Sequence, residues 1–397
     1  MAFQNHFPAV FVHGVYGWGP EEGIDQKMPY WGASSGNLMA FLNDRGYESY
    51  ALSVGPVSSA WDRACEIYAC LTGTTVDYGA AHSARNNHRR FGRTYEKPLF
   101  EGFSPEKKIH LIGHSFGGSS VRMFACLMAF GSEEERQATP EGELSGLFVG
   151  GKADWISSVT TLCAPHNGSQ LISLSEKIHL MPLVKRVTLD WVSTVGRTPL
   201  QSCFVDFHLE QFGVNNTPGK RDLRDFFQVR RVLNRTTDSV QVDLMKQGNE
   251  EMNARLRIVP SICYYSYYFN CVSRVGRADR FRATDADFGF LREMANLVLR
   301  FYRRDMLAGR LSYDDLAGDG LVHISSATHP KNEPFKLFDP ENIERGIWQV
   351  MPEQRGDHGT AIGLFAPPER THAFYLELMS LLAKTEEKTD KSARVDA

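Results

Sequence analysis

A serine between two glycines, Ser115 in the sequence GHSFG (113–117), is the residue of this chain best suited to covalent chemistry. A short apolar run (109–112) precedes it and a helical pattern follows, so the segment predicts a strand, a sharp turn and a helix. Such a turn leaves no space for side chains two residues on either side of the serine, which explains Gly113 and Gly117. The flanking strand and helix argue against a chance match. The motif therefore predicts a nucleophile.

A serine hydroxyl is a weak nucleophile and needs a base, usually a histidine held by a carboxylate. Where this motif serves a nucleophile, the acid and then the histidine follow it along the chain. Asp319 is the best acid candidate because two glycines in AGDGLV (317–322) place it on a tight turn. His358, in the loop sequence RGDHG (355–359), is the best histidine. Other residues remain open for these roles at this stage: Asp314, Asp315, His323, His329 and His372.

A glycine-rich segment, FVHGVYGWG (11–19), follows the first apolar run of the chain. A His-Gly-x segment at this place can direct a backbone N–H toward the nucleophile and form half of an oxyanion hole. Val15 is the predicted donor from this segment, and Phe116, which follows the serine, is the predicted second donor. Main-chain donors do not depend on side-chain type, so both residues can be apolar.

A second group of residues has the chemistry of metal ligands. Asp62, His82 and His88 lie in a segment rich in polar residues, and carboxylate and imidazole both bind zinc. A closed structural zinc site needs four ligands, however, and the spacing of these three is not specific. From the residues alone, solvated surface side chains are the better interpretation.

The elements that must position these residues are indicated by alternating apolar runs and helical patterns. This alternation predicts an α/β fold, with a mostly parallel sheet and helices on both faces. One continuous domain over 1–383 is the simplest organisation, followed by a charged, disordered tail over 384–397. The predicted strands are residues 9–13, 49–54, 109–113, 158–164 and 260–268.

Composition limits the class of protein. The chain has 397 residues, 42% of them apolar and 23% charged, which is typical of a soluble globular protein with a sizeable core. Its net charge of −3 implies no general attraction to nucleic acid. No run is long enough to cross a membrane, and the first residues lack the pattern of a secretory leader. The seven scattered cysteines predict buried thiols rather than a disulfide framework.

The segment 171–200 is unusually apolar around all its helical faces. A buried helix explains this composition, and so does a mobile lid that covers an apolar cleft and opens at a lipid surface. Residues 220–235 are a second candidate part of such a lid. Both interpretations stay open from the residues alone.

Taken together, these motifs resemble the zinc-containing bacterial lipases of family I.5, the thermophilic bacillus and staphylococcal type, which have the α/β-hydrolase fold. The resemblance runs from about residue 8 to about residue 382 and is strongest in the proposed metal segment (54–95). It is carried by HGVYGWGPEEG (13–23), GHSFGGSSVRM (113–123), SVTTLCAPHNGSQL (158–171), DFHLEQFG (206–213), AGDGLVH (317–323) and the pair DH (357–358).

The resemblance implies roles for individual residues. Ser115 is the nucleophile, His358 the general base and acid, and Asp319 the acid that orients it. Val15 and Phe116 supply the oxyanion donors. The zinc ligands correspond to Asp62, His82, His88 and Asp238, with Asp243 as the rival for the fourth position. The zinc is structural: it fixes an insertion of about 55–100, and a lid region covers about 171–235.

Three departures from the family pattern affect what is expected. Val15 replaces the usual Phe or Leu, and Phe116 replaces the usual Gln beside the acyl site. The family binds calcium after the catalytic histidine through a Glu two residues on and an Asp-Pro pair seven residues on. Here those positions hold Thr360 and Phe365-Ala366, which lack the carboxylates that calcium needs. We therefore predict that this calcium site is absent.

The expected function is hydrolysis of carboxylic esters with apolar acyl groups through an acyl-enzyme, including the polyesters that some relatives accept. The alternatives are a serine acyltransferase or thioesterase with the same triad, a zinc-catalysed hydrolase, and a binding protein without catalysis. The expected partner is an ester or lipid substrate, at a lipid–water or polymer interface, and the expected state is a monomer. Family resemblance implies secretion after removal of a leader; a cytoplasmic protein is the alternative.

Overall fold

The computed structural model describes residues 4–140, 142–177, 206–214, 227–228, 231–232, 234–276 and 280–395. Most of the predicted lid region, 171–235, lies outside the described residues, as does Cys203. The other six cysteines are buried thiols, as predicted.

A seven-stranded, wholly parallel sheet organises the described residues. The strands of the described residues are Ala9–Val12 (β1), Ser49–Leu52 (β2), Thr75–Asp77 (β3), Phe91–Thr94 (β4), Ile109–His114 (β5), Ile156–Leu162 (β6), Cys263–Tyr267 (β7), Phe269–Asn270 (β8), Val272–Arg274 (β9), Phe281–Ala283 (β10), Phe335–Leu337 (β11), Trp348–Val350 (β12) and Gln354–Arg355 (β13). The strand order in the seven-stranded sheet is β11-β12-β7-β6-β5-β1-β2.

Helices connect the strands. They are Leu38–Asp44 (α1), Ala60–Thr72 (α2), Ala80–Asn86 (α3), Phe116–Phe130 (α4), Glu133–Ala138 (α5), Gly146–Val149 (α6), Gln170–Lys177 (α7), Val240–Leu244 (α8), Lys246–Arg255 (α9), Gly289–Phe301 (α10), Arg303–Leu307 (α11), Ile324–Ala327 (α12) and Pro368–Val395 (α13). Within the described part of the chain, no helix has the length and apolarity that a membrane crossing requires.

The predicted α/β class and parallel sheet are confirmed, and all five predicted sheet strands are present within a few residues of their expected bounds. Strands β11 and β12 were not predicted. They are three residues each, too short for an apolar period to stand out, and β11 has two exposed residues because it is an edge strand.

The middle of the sheet is buried on both faces. Every residue of β5 and β6 is buried, and α4 packs along β5 and β6 with its first thirteen residues buried. The chain passes from β1 outward to the edge strand β2 and then returns to β5 on the other side of β1. This reversal creates a topological switch point between β1 and β5, where the carboxyl ends of parallel strands form a crevice.

The C-terminal helix corrects the predicted start of a disordered tail. Helix α13 continues past Ala383 to Val395, and Glu386 is buried. Its carboxylate accepts hydrogen bonds from the backbone N–H groups of His6 (2.9 Å) and Phe7 (3.1 Å) and lies 2.9 Å from Nε2 of His110. The composition of the segment did not reveal these polar contacts because they join residues far apart in sequence.

We expect Glu386→Ala to lower the free energy of unfolding by about 3 kcal/mol, because two backbone donors and a buried histidine lose their acceptor. Urea unfolding measures the change. Glu377→Ala, at an exposed position of the same helix, is the control and should change stability by less than about 0.5 kcal/mol. Equal effects of the two substitutions would contradict the structural role of Glu386.

Candidate active site

The serine of the Gly-x-Ser-x-Gly motif occupies a strained turn between β5 and α4. Ser115 has φ 55° and ψ −128°, outside the conformations that non-glycine residues usually adopt. A Cβ atom on Gly113 would lie 2.4 Å from the carbonyl oxygen of Gly117, and one on Gly117 would lie 2.2 Å from that of Val12. Glycine is therefore required at both positions by close backbone approach, as the motif predicts. Ser115 is partly exposed although its neighbours on both sides are buried.

The predicted histidine and acid are in contact. His358 Nδ1 lies 2.7 Å from Asp319 Oδ2, and both side chains are buried. The other oxygen of Asp319 accepts from the backbone N–H groups of Leu321 (2.9 Å) and Val322 (2.8 Å). The backbone N–H of His358 also donates to the carbonyl of Asp319 at 2.9 Å. The carboxylate is thus fixed on a turn and can hold the imidazole in one orientation.

A second histidine joins this pair to the serine turn. His114 directly precedes Ser115, and its ring centroid lies 4.7 Å from that of His358. Nε2 of His114 lies 3.0 Å from the carbonyl oxygen of His358, and its Nδ1 lies 2.6 Å from the hydroxyl of Tyr30. That hydroxyl also accepts from the N–H of Gly14 at 2.9 Å. One chain of hydrogen bonds therefore links the segment after β1, the serine turn and the histidine loop.

The protonation states of His114 and Tyr30 define which group donates in each hydrogen bond of this chain. Burial lowers the pKa of His114 well below its usual value, so the ring is neutral. Burial raises the pKa of Tyr30, so its hydroxyl keeps its proton. Because Tyr30 accepts from Gly14, it can donate to Nδ1 of His114, which leaves Nε2–H to donate to the carbonyl of His358. A single tautomer satisfies every group.

A buried cysteine completes the surroundings. Cys163 follows β6 in a left-handed conformation (φ 55°). Burial, and next the charge of Asp319, raise the pKa of the Cys163 thiol well above its usual value, so the sulfur stays protonated. Cys163, His114 and His358 have donor atoms within 4.8 Å of one another. They do not constitute a free ligand set, because both imidazoles already bond to Tyr30, Asp319 or backbone oxygen.

The two predicted oxyanion donors lie on either side of this turn. A Cβ atom on Gly14 would lie 2.7 Å from Cβ of Ser115, so the loop after β1 contacts the serine directly. Val15 is the next residue, and its amide makes no hydrogen bond within the described part of the chain. Phe116 is the first residue of α4, where backbone N–H groups have no partner within the helix. Both amides are therefore suited to bind an anion.

The four predicted metal ligands converge. Donor atoms of Asp62, His82, His88 and Asp238 lie within 4.8 Å of one another. Nε2 of His82 lies 3.2 Å from Asp62 Oδ1 and 2.9 Å from Asp238 Oδ2, and Nε2 of His88 lies 3.2 Å from the same Asp238 oxygen. Asp62 Oδ1 is buried without a hydrogen-bond partner. Two imidazole nitrogens and two carboxylates directed at one point fit a tetrahedral cation site.

The local charges agree with that fit. Burial, and next the charge of Asp238, raise the pKa of Asp62 to about 6. Burial opposes a charge on His82, but the neighbouring carboxylates of Asp238 and Asp62 outweigh burial and raise its pKa to about 10. Two buried carboxylates thus require positive charge between them, which a divalent cation supplies when it is bound.

Neighbouring groups orient the ligands. The side-chain amide of Gln211 donates to Asp62 Oδ2 at 3.0 Å, and the backbone carbonyl of Gln211 accepts from the backbone N–H of Arg89 at 2.8 Å. Nδ1 of His88 lies 2.8 Å from the carbonyl oxygen of Arg89. Such contacts fix the ring that presents Nε2 to a metal. Gln211 belongs to the DFHLEQFG segment, whose role the motif itself did not reveal.

Helix α2 connects the metal cluster to the oxyanion loop. Asp62 and Arg63 are consecutive residues of α2, and Arg63 is wholly buried. Its guanidinium donates to the carbonyl of His13, two residues before Val15, and lies 5.5 Å from the ring centroid of Phe116. One helix therefore carries both a residue of the metal cluster and the side chain that contacts the predicted oxyanion loop.

The rival residues do not join either cluster. Asp315 accepts from the hydroxyls of Ser312 and Ser325, and Asp243 accepts from the N–H of Ala60. Across the described residues, no hydrogen bond connects any rival of the triad with Ser115, His358 or Asp319. Those rivals are Asp314, Asp315, His323, His329 and His372. His372 stacks on Phe41, in agreement with the packing role that its helical pattern suggests.

The positions after His358 have contacts of their own. The Thr360 hydroxyl lies 3.0 Å from Asp287 Oδ2 and 3.2 Å from Asp357 Oδ1, and Phe365 is exposed. A hydroxyl donor thus lies between two carboxylates at one of the two positions where the sequence resemblance implies calcium ligands in the family. The absence of calcium here stays a prediction.

A parallel sheet with a strained serine turn at its switch point defines the class of the α/β-hydrolases. The family model "Lipase-like, C-terminal domain" matches residues 5–393, so the chain belongs to this family. It is 32% identical to Lipase 1 of Staphylococcus aureus over 398 residues, 98% of this chain and 56% of that protein. It is 32% identical to a lipase of Staphylococcus epidermidis, over 91% of this chain and 50% of that protein. The chain therefore spans about half the length of the curated relatives it matches.

Solved structures show the same relationship. Staphylococcus hyicus lipase matches with a TM-score of 0.82 and 28% identity over 97% of each chain. EstA from Clostridium botulinum matches with a TM-score of 0.78 and 32% identity, over 96% of this chain and 87% of that one. Lipase 1 from Pelosinus fermentans matches with a TM-score of 0.75 and 33% identity, over 96% of this chain and 99% of that one. The predicted resemblance and fold are confirmed.

We expect Tyr30→Phe to lower the free energy of unfolding by about 1–3 kcal/mol, because the N–H of Gly14 and Nδ1 of His114 lose their buried partner. Urea unfolding measures this loss. Tyr302→Phe is the control, because that buried hydroxyl has no partner among the described residues. In the parent protein, ¹⁵N NMR should show His114 as the Nε2–H tautomer, because the carbonyl oxygen of His358 can only accept. An Nδ1–H tautomer in the parent, or equal stability of Tyr30→Phe and the parent, would contradict the proposed chain of hydrogen bonds.

Proposed function

We propose that the chain is a serine hydrolase of carboxylic esters with apolar acyl groups. The observation that carries the proposal is the contact of His358 with Asp319 beside the strained turn of Ser115, at the switch point of the sheet. Their order along the chain, serine, acid and histidine, is that of α/β-hydrolases. The names of the relatives, Lipase 1 and EstA, agree with ester hydrolysis.

The mechanism follows from the positions of these groups. His358 removes the proton of the Ser115 hydroxyl as its oxygen attacks the ester carbonyl carbon, and Asp319 stabilises the resulting imidazolium through Nδ1–H. The N–H groups of Val15 and Phe116 bind the oxyanion of the tetrahedral intermediate. His358 then gives the proton to the departing alcohol. Water, deprotonated by the same histidine, releases the acid from the acyl-enzyme.

The substrate class rests on the apolar surroundings. Phe116 is buried beside the serine and replaces the polar residue usual in the family, so the acyl group meets an apolar wall. Triacylglycerols, short-chain esters and aliphatic or aromatic polyesters all present an ester in an apolar context. The ratio of the hydrolysis rates on esters with short and long acyl groups distinguishes an esterase from a lipase.

We propose zinc as the cation of the four-ligand cluster, with a structural role. Asp62, His82, His88 and Asp238 would hold it, and two nitrogens with two oxygens suit zinc. Four protein ligands leave no open position for substrate, and none of the four bonds to the proposed triad within the described residues. This arrangement disfavours a zinc-catalysed hydrolase. A serine acyltransferase would use the same triad and differ from the proposed hydrolase only in the acceptor of the acyl group. A thioesterase would differ only in taking a thioester as substrate.

The remaining proposals come from the sequence. Calcium is absent after His358, the protein is a monomer, and its substrate is an ester or lipid rather than nucleic acid. Secretion is proposed on the resemblance alone.

Ser115→Ala should lower kcat for p-nitrophenyl butyrate and palmitate by at least about 10⁴-fold, because the nucleophile is lost. Ser119→Ala, which removes a buried hydroxyl without a partner from the next turn of α4, is the control and should retain activity. If Ser115→Ala stays active while holding metal, the nucleophile is misassigned and the metal becomes the candidate catalyst.

Removal of zinc should lower stability before it lowers activity. Free zinc at a hundredfold excess over its Kd adds about 3 kcal/mol to the free energy of unfolding, so a chelator should shift Tm downward. At low temperature, activity should fall only as the chain unfolds. Elemental analysis should give about one zinc per chain in wild type and none in His88→Ala, with His329→Ala as the control. Immediate loss of activity in a folded, chelated protein would contradict the structural role.

A further inference from the structure

Helix α10, Gly289–Phe301, has apolar residues on two faces rather than one. One face is buried in a core cluster with the strand Val272–Arg274, and Ala295, Val298 and Leu299 belong to it. This burial accounts for the helix as a packed element of the fold. The second face needs a separate explanation.

The second face carries an apolar stripe, which we define as the exposed residues Phe290, Leu297 and Phe301 with the half-buried Met294. Their spacing of four, three and four residues places them within about 60° of arc on an α-helix. Phe290, Leu297 and Phe301 are 56%, 43% and 46% exposed. Leu307, 62% exposed, follows in the next helix. Single exposed apolar side chains are ordinary, but a stripe three turns long indicates an interaction surface.

The stripe begins at the proposed active site. The N–H of Phe288 donates to Asp357, the residue before His358, at 2.7 Å. The ring of Phe288 lies 5.0 Å from that of Phe365, which is 55% exposed. A Cβ atom on Gly320, next to Asp319, would lie 2.7 Å from the carbonyl oxygen of Leu291. The first turn of α10 therefore contacts both loops that carry the histidine and the acid.

Positive charge borders the other end of the stripe. Arg300, Arg303 and Arg304, which we call the arginine cluster, are exposed and form no ion pair among the described residues. Lys177 at the end of α7 lies 4.6 Å from the ring centroid of Tyr302, the residue between α10 and α11. Residues 288–310 contain five arginines and two acidic residues, a local charge of +3 in a chain whose net charge is −3.

We propose that the apolar stripe and the arginine cluster form a docking surface for an anionic lipid–water interface. Apolar side chains flanked by arginines are the combination that binds an interface carrying negative headgroups or fatty carboxylates. The surface presents the rim of the proposed active site to that interface, a role that rests on the proposed function. A contact with a second copy that brings the two arginine clusters together is disfavoured because the clusters would repel each other.

The test is cosedimentation of Ser115→Ala with phosphatidylcholine vesicles, with and without about 30% phosphatidylglycerol. We expect binding to the anionic vesicles to be at least about tenfold tighter, and to weaken as salt is added. Vesicle binding by this variant does not need catalysis. Hydrolysis of dissolved p-nitrophenyl butyrate by wild type is measured separately, so failure of the docking proposal and failure of the proposed function give different results.

Two sets of substitutions separate the contributions. Arg300→Gln, Arg303→Gln and Arg304→Gln together should remove the preference for anionic vesicles. Leu297→Ser with Phe301→Ser should weaken binding to both kinds of vesicle by at least about tenfold. The matched controls are Lys97→Gln and Leu337→Ser, exposed residues elsewhere, and these should bind as the parent does. Thermal melts establish that each variant is folded.

Three results would overturn the proposal. One is a lack of selectivity: equal affinity for neutral and anionic vesicles, or an affinity that neither set of substitutions changes. Another is an equal loss in the controls, which would indicate a general surface effect. The third is a concentration-dependent dimer that Leu297→Ser with Phe301→Ser abolishes, which would assign the stripe to a contact between copies. Loss limited to the two sets supports the docking surface.

Discussion

The arrangement of the candidate site depends on one backbone constraint, the left-handed conformation of Ser115. A φ of 55° at a non-glycine residue is unfavourable by about 1–3 kcal/mol and persists only where the surroundings enforce it. Here the surroundings are close approaches of backbone at Gly14, Gly113 and Gly117, where any side chain would collide. The strain directs the hydroxyl away from the packed sheet, and the same packing carries the loop after β1 against the serine.

Buried polar groups then hold the loops that the turn brings together. The imidazole of His114 and the guanidinium of Arg63 each bond to backbone of another segment, and the carboxylate of Asp319 bonds to the His358 imidazole in a different loop. Each is costly to bury alone, so each is stable only when its partner segment is in place. This dependence makes the site cooperative: displacement of one loop leaves unsatisfied groups in the others.

Local patterns in the sequence indicated those parts of the fold and of the candidate site that depend on residues close together along the chain. Ser115 was predicted from the turn, Asp319 from its two glycines, and the sheet strands from apolar runs. Asp238 was named only by resemblance, because it lies 150 residues from His88 and no local pattern connects them. Tyr30, Arg63 and Cys163 were missed. Their chemistry arises from burial and from contacts across the sheet, although the histidine of the GHSFG motif was a signal that a partner for it should be sought.

The contact of Glu386 with His6 and Phe7 has a practical consequence. It joins residues 6 and 7 to the C-terminal helix at the amino end of β1, whereas the serine turn lies at the carboxyl ends of the strands. The contact therefore lies at the end of the sheet opposite the active-site crevice. A label or a solid support attached to a side chain near this contact would leave the crevice facing outward, which favours tethering the protein to a surface from this side.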